Sequence, residues 1–146
     1  MKRWIAALTV CVIASLAHAA DLTSPVGLWK SFDDEGKPSA FVQIYQDGAE
    51  LKGKVTQVIP GPGKPEHPVC DKCEGDLKGK PVVGMLIMWG MKRDGSEWKS
   101  GELLDPKNGK VYSGKIELTD GGRKLKVRGF IGISLIGRTQ IWVRES

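Results

Sequence analysis

The chain has 146 residues, 40% hydrophobic and 27% charged, with a formal net charge of +5. That length supports one ordinary domain with a real core, without metals or a dense set of cross-links. Its basic residues are spread along the chain rather than clustered, which reads as a solvated surface of mixed charge and gives no nucleic-acid footprint.

Met1–Ala19 carries the three parts of a secretion leader. Lys2 and Arg3 form the basic start, Ile5 to Leu16 a short apolar stretch, and Ala17-His18-Ala19 the small residues a signal peptidase reads. The apolar stretch falls short of the roughly 20 residues that span a bilayer, so a cleaved leader is expected rather than an anchor. Cleavage near Ala19/Ala20 would leave residues 20–146 as one domain, periplasmic or secreted. Losing Lys2 and Arg3 takes the basic side chains from 22 to 20 against 17 acidic, a net of +3. Cys11 leaves as well, so Cys70 and Cys73 become the mature pair, and an even pair in an oxidising compartment most often forms a disulfide.

From Val26 onward short β-like runs alternate with turn signals, and no long stretch has helical period. The first run is 26–32, ended by Asp33-Asp34-Glu35-Gly36; the second, 40–46, closes at Asp47-Gly48. The third, 50–59, puts Leu51, Gly53 and Val55 on one face and Lys52, Lys54 and Thr56 on the other. Runs at 85–92, 97–103 and 110–118 follow, the last with Tyr112, Gly114, Ile116 and Leu118 on one face. Leu125, Val127 and Gly129 alternate with lysines and Arg128 in the seventh run, and 138–144 is the eighth. Eight strands joined by hairpin-length turns, with no helix to cover an open sheet, predict an antiparallel meander closed into a barrel rather than a two-sheet sandwich. The strand glycines (Gly53, Gly90, Gly101, Gly114, Gly129) suit barrel corners.

Pro60 to Gly84 interrupts the rhythm between strands three and four. It holds five of the eight prolines, both mature cysteines and His67, the mature chain's one imidazole. Long loops of this kind are usually functional or capping.

Three separated motifs resemble one family. Pro68-Val69-Cys70-Asp71-Lys72-Cys73 with Leu77-Lys78-Gly79-Lys80-Pro81, the stretch Leu104 to Tyr112, and the run Val127 to Gln140 are similar to the bacterial family catalogued as domain of unknown function 2147. The resemblance implies export and a lipocalin-like fold, and brings no assigned activity. Gly27-Leu28-Trp29 also looks like the Gly-x-Trp of the lipocalin and fatty-acid-binding superfamily, where a last-strand Arg packs over the Trp at the closed end. Arg138 and Arg144 are both candidates for that role, which gives Trp29 a structural part.

Three chemistries fit the Cys70-x-x-Cys73 pair: a structural disulfide, a redox dithiol, or a metal site with His67 and a carboxylate. The structural bridge is favoured, because Asp71, Glu74 and Asp76 oppose a thiolate and the spacing matches no familiar zinc module. Hydrolysis has little to draw on beyond His67, and the carboxylates sit in turns, so no enzyme, cofactor or metal is expected. The first functional reading is a barrel that binds a small apolar or amphipathic molecule, with Tyr45, Met85, Trp89, Trp98 and Tyr112 as candidate pocket residues and Gln43 or Tyr112 orienting it. An envelope interaction module with a filled barrel is the alternative, acting through the cysteine loop and the apolar segment 130–137; a thiol-redox protein is the second alternative. An internal cavity of about 300 Å³ or more separates the first reading from the interaction module. The segment 130–137 is either an exposed lid, partner or membrane contact, or a strand end tucked under the barrel.

Overall fold

A computed structural model describes residues 19–133 and 135–146, so all but the last residue of the expected leader, and Ser134 of the apolar segment, lie outside the described residues. Eight strands follow one another: β1 (Gly27–Phe32), β2 (Pro38–Asp47), β3 (Glu50–Val58), β4 (Leu86–Asp94), β5 (Glu97–Asp105), β6 (Lys110–Thr119), β7 (Lys124–Phe130) and β8 (Gly137–Arg144). Each pairs antiparallel with the next, and β8 returns to β1, closing a barrel in meander order. The expected strands hold to within about two residues at each end, the usual uncertainty of element boundaries. Among the described residues no helix is long and apolar enough to cross a membrane.

Period-two patterning decides which side chains enter. Leu51 and Val55 of β3 are 2% exposed, while Lys52 and Lys54 between them face out. Trp29, Val42, Ile44, Met88, Met91 and Leu125 are fully buried inside. Met88 and Met91 lie across glycines of the facing strands. A Cβ on Gly114 would stand 2.9 Å from Met91 Cε and 2.6 Å from Leu103 Cγ, and one on Gly101 would strike Met91 Sδ. Gly53 is pressed in the same way by Met88 Cβ, at 3.1 Å. Of the strand glycines expected as corners, these three instead make room for the side chains of Met88, Met91 and Leu103; Gly90, at φ 71°, does sit at a bend of β4.

Antiparallel order sorts the connections into two ends. The β1–β2, β3–β4, β5–β6 and β7–β8 connections share the loop end. The β2–β3, β4–β5 and β6–β7 turns share the terminus end with both chain ends. At the terminus end the Arg144 guanidinium stacks 4.3 Å from the Trp29 ring centre. It donates from Nε to the Gly122 carbonyl (2.8 Å), from Nη1 to Val26 (3.1 Å) and from Nη2 to Ser24 (2.6 Å). Trp29 Nε1 donates to the Pro25 carbonyl at 2.8 Å, so residues 24–26 are strapped under the barrel by both side chains. Gly27, at φ 147°, leaves no space for a side chain: a Cβ would fall on the Ser146 carbonyl. Burial holds the Arg144 pKa below the usual guanidinium value, partly offset by the nearby Asp21 carboxylate.

Candidate functional site at the loop end

The 60–84 connection folds back on itself as a small irregular hairpin. Val69 bridges Pro81, the Cys70 amide donates to the Lys80 carbonyl (2.8 Å), the Gly79 amide to Cys70 (2.8 Å), and the Val82 amide to Pro68 (3.0 Å). Cys70 and Cys73 are joined in a disulfide with Cα atoms 5.4 Å apart, and are 0% and 3% exposed. Cys70 Sγ rests 3.4 Å from the Pro106 carbonyl oxygen, a packing contact since a bridged sulfur has no proton to donate. A Cβ on Gly109 would fall on the Lys72 carbonyl, so the loop is pressed onto the β5–β6 turn. His67 stays exposed beside it.

The β7–β8 connection behaves oppositely. Ile131, Ile133, Leu135 and Ile136 are 69%, 59%, 86% and 70% exposed, which overturns a strand end tucked under the barrel. The β7–β8 ladder runs through seven pairs, from Lys124↔Val143 to Phe130↔Gly137. The β8–β1 ladder has two, Trp29↔Arg144 and Lys30↔Val143. The outer half of the hairpin therefore rises past β1 without a ladder to it. There Arg138 forms an exposed ion pair with Asp34 of the β1–β2 turn, and Arg128 donates to Thr139 Oγ1 at 2.8 Å. Arg138 is thus at the wrong end to cover Trp29; Arg144 alone takes that role. The Asp33 carboxyl is held below the usual range, chiefly by the Lys37 amide, which stiffens the same turn.

The five candidate pocket residues do not converge. Tyr45 alternates with the buried Val42 and Ile44, so it faces outward, with Lys54 Nζ 6.0 Å from its ring centre. Gln43 shares that outer face, spending its amide on the Ile44 carbonyl. Trp89 is half-buried next to the Gly90 bend, and Met85 is buried where β4 begins. Trp98 is buried near the terminus rim, under Arg93 at 5.5 Å. Tyr112 sits at the loop end on the inward face of β6, its hydroxyl accepting from Asn108 Nδ2 at 2.8 Å. Asn108 and Asp34 are site residues that sequence reasoning did not single out; Asp34 showed only as a turn residue, and Asn108 as part of a turn within the motif Leu104 to Tyr112.

Among the described residues a groove and a cleft open to solvent. A groove of about 310 Å³ runs over the outer faces of β6 and β7, lined by Glu97, Lys115, Glu117, Lys126, Arg128 and Leu135. A cleft of about 240 Å³ lies at the terminus rim, between the N-terminal segment and Gln46, Leu51, Met91 and Trp98.

Residues 27–144 match the model of a family described as an uncharacterised protein conserved in bacteria, DUF2147. The chain belongs to this family. No curated protein matches it. Among solved structures it is similar to one described as "Protein HP1028 from the human pathogen Helicobacter pylori belongs to the lipocalin family", with a TM-score of 0.72, 15% identity and 84% of each chain covered. At that identity the likeness speaks for the fold, which is lipocalin-like: a closed eight-stranded antiparallel barrel of the architecture that in other proteins holds small ligands.

Proposed function

We propose that this DUF2147 member acts outside the cytoplasm as a non-enzymatic interaction domain, a filled lipocalin-like barrel that makes its contacts at the loop end. The observation that carries this reading is the interior: Met88 and Met91, both 0% exposed, are laid over Gly53, Gly101 and Gly114 where a ligand chamber would be. Export is supported by the leader pattern of residues 1–19 and by the Cys70–Cys73 bridge, which belongs to oxidising compartments. The bridge is read as structural, because thiol–disulfide exchange needs access to a sulfur and both cysteines are buried. A second reading, an amphipathic ligand held at the mouth, is favoured by Tyr112 and Asn108 at the inner rim above an adaptable methionine floor.

Native mass spectrometry of protein exported to the periplasm and purified without detergent tests the choice. The proposed reading expects the apo mass of residues 20–146, two hydrogens lighter for the bridge. A species bound one to one, and lost in Tyr112→Ala, would replace it with the ligand reading.

A further inference from the structure

We propose that the β7–β8 hairpin docks the protein on an anionic lipid surface, tip first. The inference rests on the loop end being the working face, and names its partner. Four large aliphatic side chains stand exposed within six residues at the tip, an arrangement that water disfavours and monomeric proteins seldom keep without a use.

The charge around that tip selects the partner. On this hairpin Arg128 and Arg138 lie at the tip end, Lys126 midway and Arg123, Lys124 and Arg144 at the terminus end, and positions 123–144 hold no Asp or Glu. Of the 20 basic side chains expected in the mature chain, the other 14 face 17 acidic ones, so the remainder of the molecule is net −3. The excess positive charge and the exposed aliphatic surface thus share one element. Arg128 and Arg138 flank the tip directly, and the Arg138 side chain is 73% exposed. Where the tip begins, the hairpin has already left its ladder to β1, so a flat surface can approach it.

Aliphatic side chains at a tip, with guanidinium groups at its neck, match the boundary between acyl chains and phosphate headgroups. A second copy fits poorly, since tip-to-tip contact would bring two basic hairpins together. A neutral apolar groove on a protein would accept the aliphatics but bring no counter-charge to the exposed guanidinium of Arg138, which meets only Asp34 of the β1–β2 turn among the ion pairs seen.

Flotation of residues 20–146 with vesicles tests this. The protein is expected to float with phosphatidylcholine vesicles containing about one-third phosphatidylglycerol, to stay behind with phosphatidylcholine alone, and to be released by high salt. The double variant Ile133→Asp/Leu135→Asp changes exposed positions only. It should keep the wild-type circular dichroism and lose binding roughly tenfold or more. Arg128→Gln/Arg138→Gln should lose it several-fold on anionic vesicles. Absence of flotation with anionic vesicles, flotation undiminished in the aspartate variant, or tip-dependent dimerisation or protein capture without lipid binding would each overturn the lipid assignment. The filled-barrel reading itself stands or falls separately, on the native mass spectrum.

Discussion

Arg138 and Arg144 lie six residues apart on the same face of β8, yet the barrel uses them in opposite ways. Arg144 is half-buried against Trp29 and donates to three backbone carbonyls. Arg138 stands at the loop end in water, paired with Asp34. Identical chemistry thus closes one end and decorates the other. The difference comes from the chain ends: residues 24–26 pass beneath Trp29 and supply carbonyls there, whereas towards the loop end the β1–β8 ladder stops at Lys30↔Val143 and leaves the outer part of β8 paired with β7 alone. Rigid closure belongs to the terminus end, and exposed apolar surface to the loop end.

Breaking the closed end should cost most. Arg144→Ala removes charge-assisted hydrogen bonds and a cation–π stack, an expected loss of about 3 kcal/mol in urea denaturation. Arg144→Lys should recover less than half, since an ammonium cannot fork to three carbonyls. A loss below about 1 kcal/mol for Arg144→Ala would show that the strap contributes little.

Next comes the ordered half of the loop end. Cys70→Ser/Cys73→Ser should cost about 2 kcal/mol, the chain-entropy value for so short a loop, and should open new protease sites within 60–84 while the barrel persists. Global unfolding would instead give the bridge a role in the core.

The projecting half should be nearly silent in stability. Arg138→Ala and Leu135→Asp are each expected within about 0.5 kcal/mol of wild type, because an exposed ion pair and an exposed side chain contribute little to folding. A larger loss would mean that the tip packs on the barrel.

Smallest is the effect of acid. Asp21 at the terminus end is held below the usual carboxylate range by the Thr23 hydroxyl and amide, and Asp33 at the loop end by the Lys37 amide. Depressed folded pKa values stabilise above the unfolded value of about 3.9, and that contribution is lost as pH falls through the folded values. The Tm contribution of both should be constant from neutral pH down to about 5 and decline below about 4, with Asp21→Asn and Asp33→Asn flattening the acid limb.

Most of the fold was legible because turn chemistry and period two agree in this chain. Asp47-Gly48 and Thr119-Asp120-Gly121-Gly122 sit where hairpins turn, and Leu51, Gly53 and Val55 mark the inner face. Barrel closure followed from the lack of any helix to cover a flat sheet. Choosing between Arg138 and Arg144 was beyond local pattern, since both share a face and the choice depends on where residues 24–26 cross. The outward position of Tyr45 could be had from its alternation with Val42 and Ile44; chemical type drew attention to it instead. That the Met91 side chain would lie over Gly101 and Gly114 could not be read, because that relation is set by register across strands. The neighbourhood of the β7–β8 tip was hidden in the same way. Its six cations and its lack of Asp or Glu are contiguous in linear order, but that Arg128 and Arg138 meet at the neck of the tip is set only when the two strands pair.

Methyl NMR tests the filled interior most directly, because Met85, Met88 and Met91 are the methionines of residues 20–146. With 13C at the methionine and isoleucine methyls, anionic vesicles or a soluble fatty acid are titrated into residues 20–146. The expected result is that signals of Ile131, Ile133 and Ile136 shift or broaden while those of Met88 and Met91 stay in place. Saturable shifts at Met88 and Met91, with the tip methyls unmoved, would contradict a solid barrel and place a ligand in the lumen.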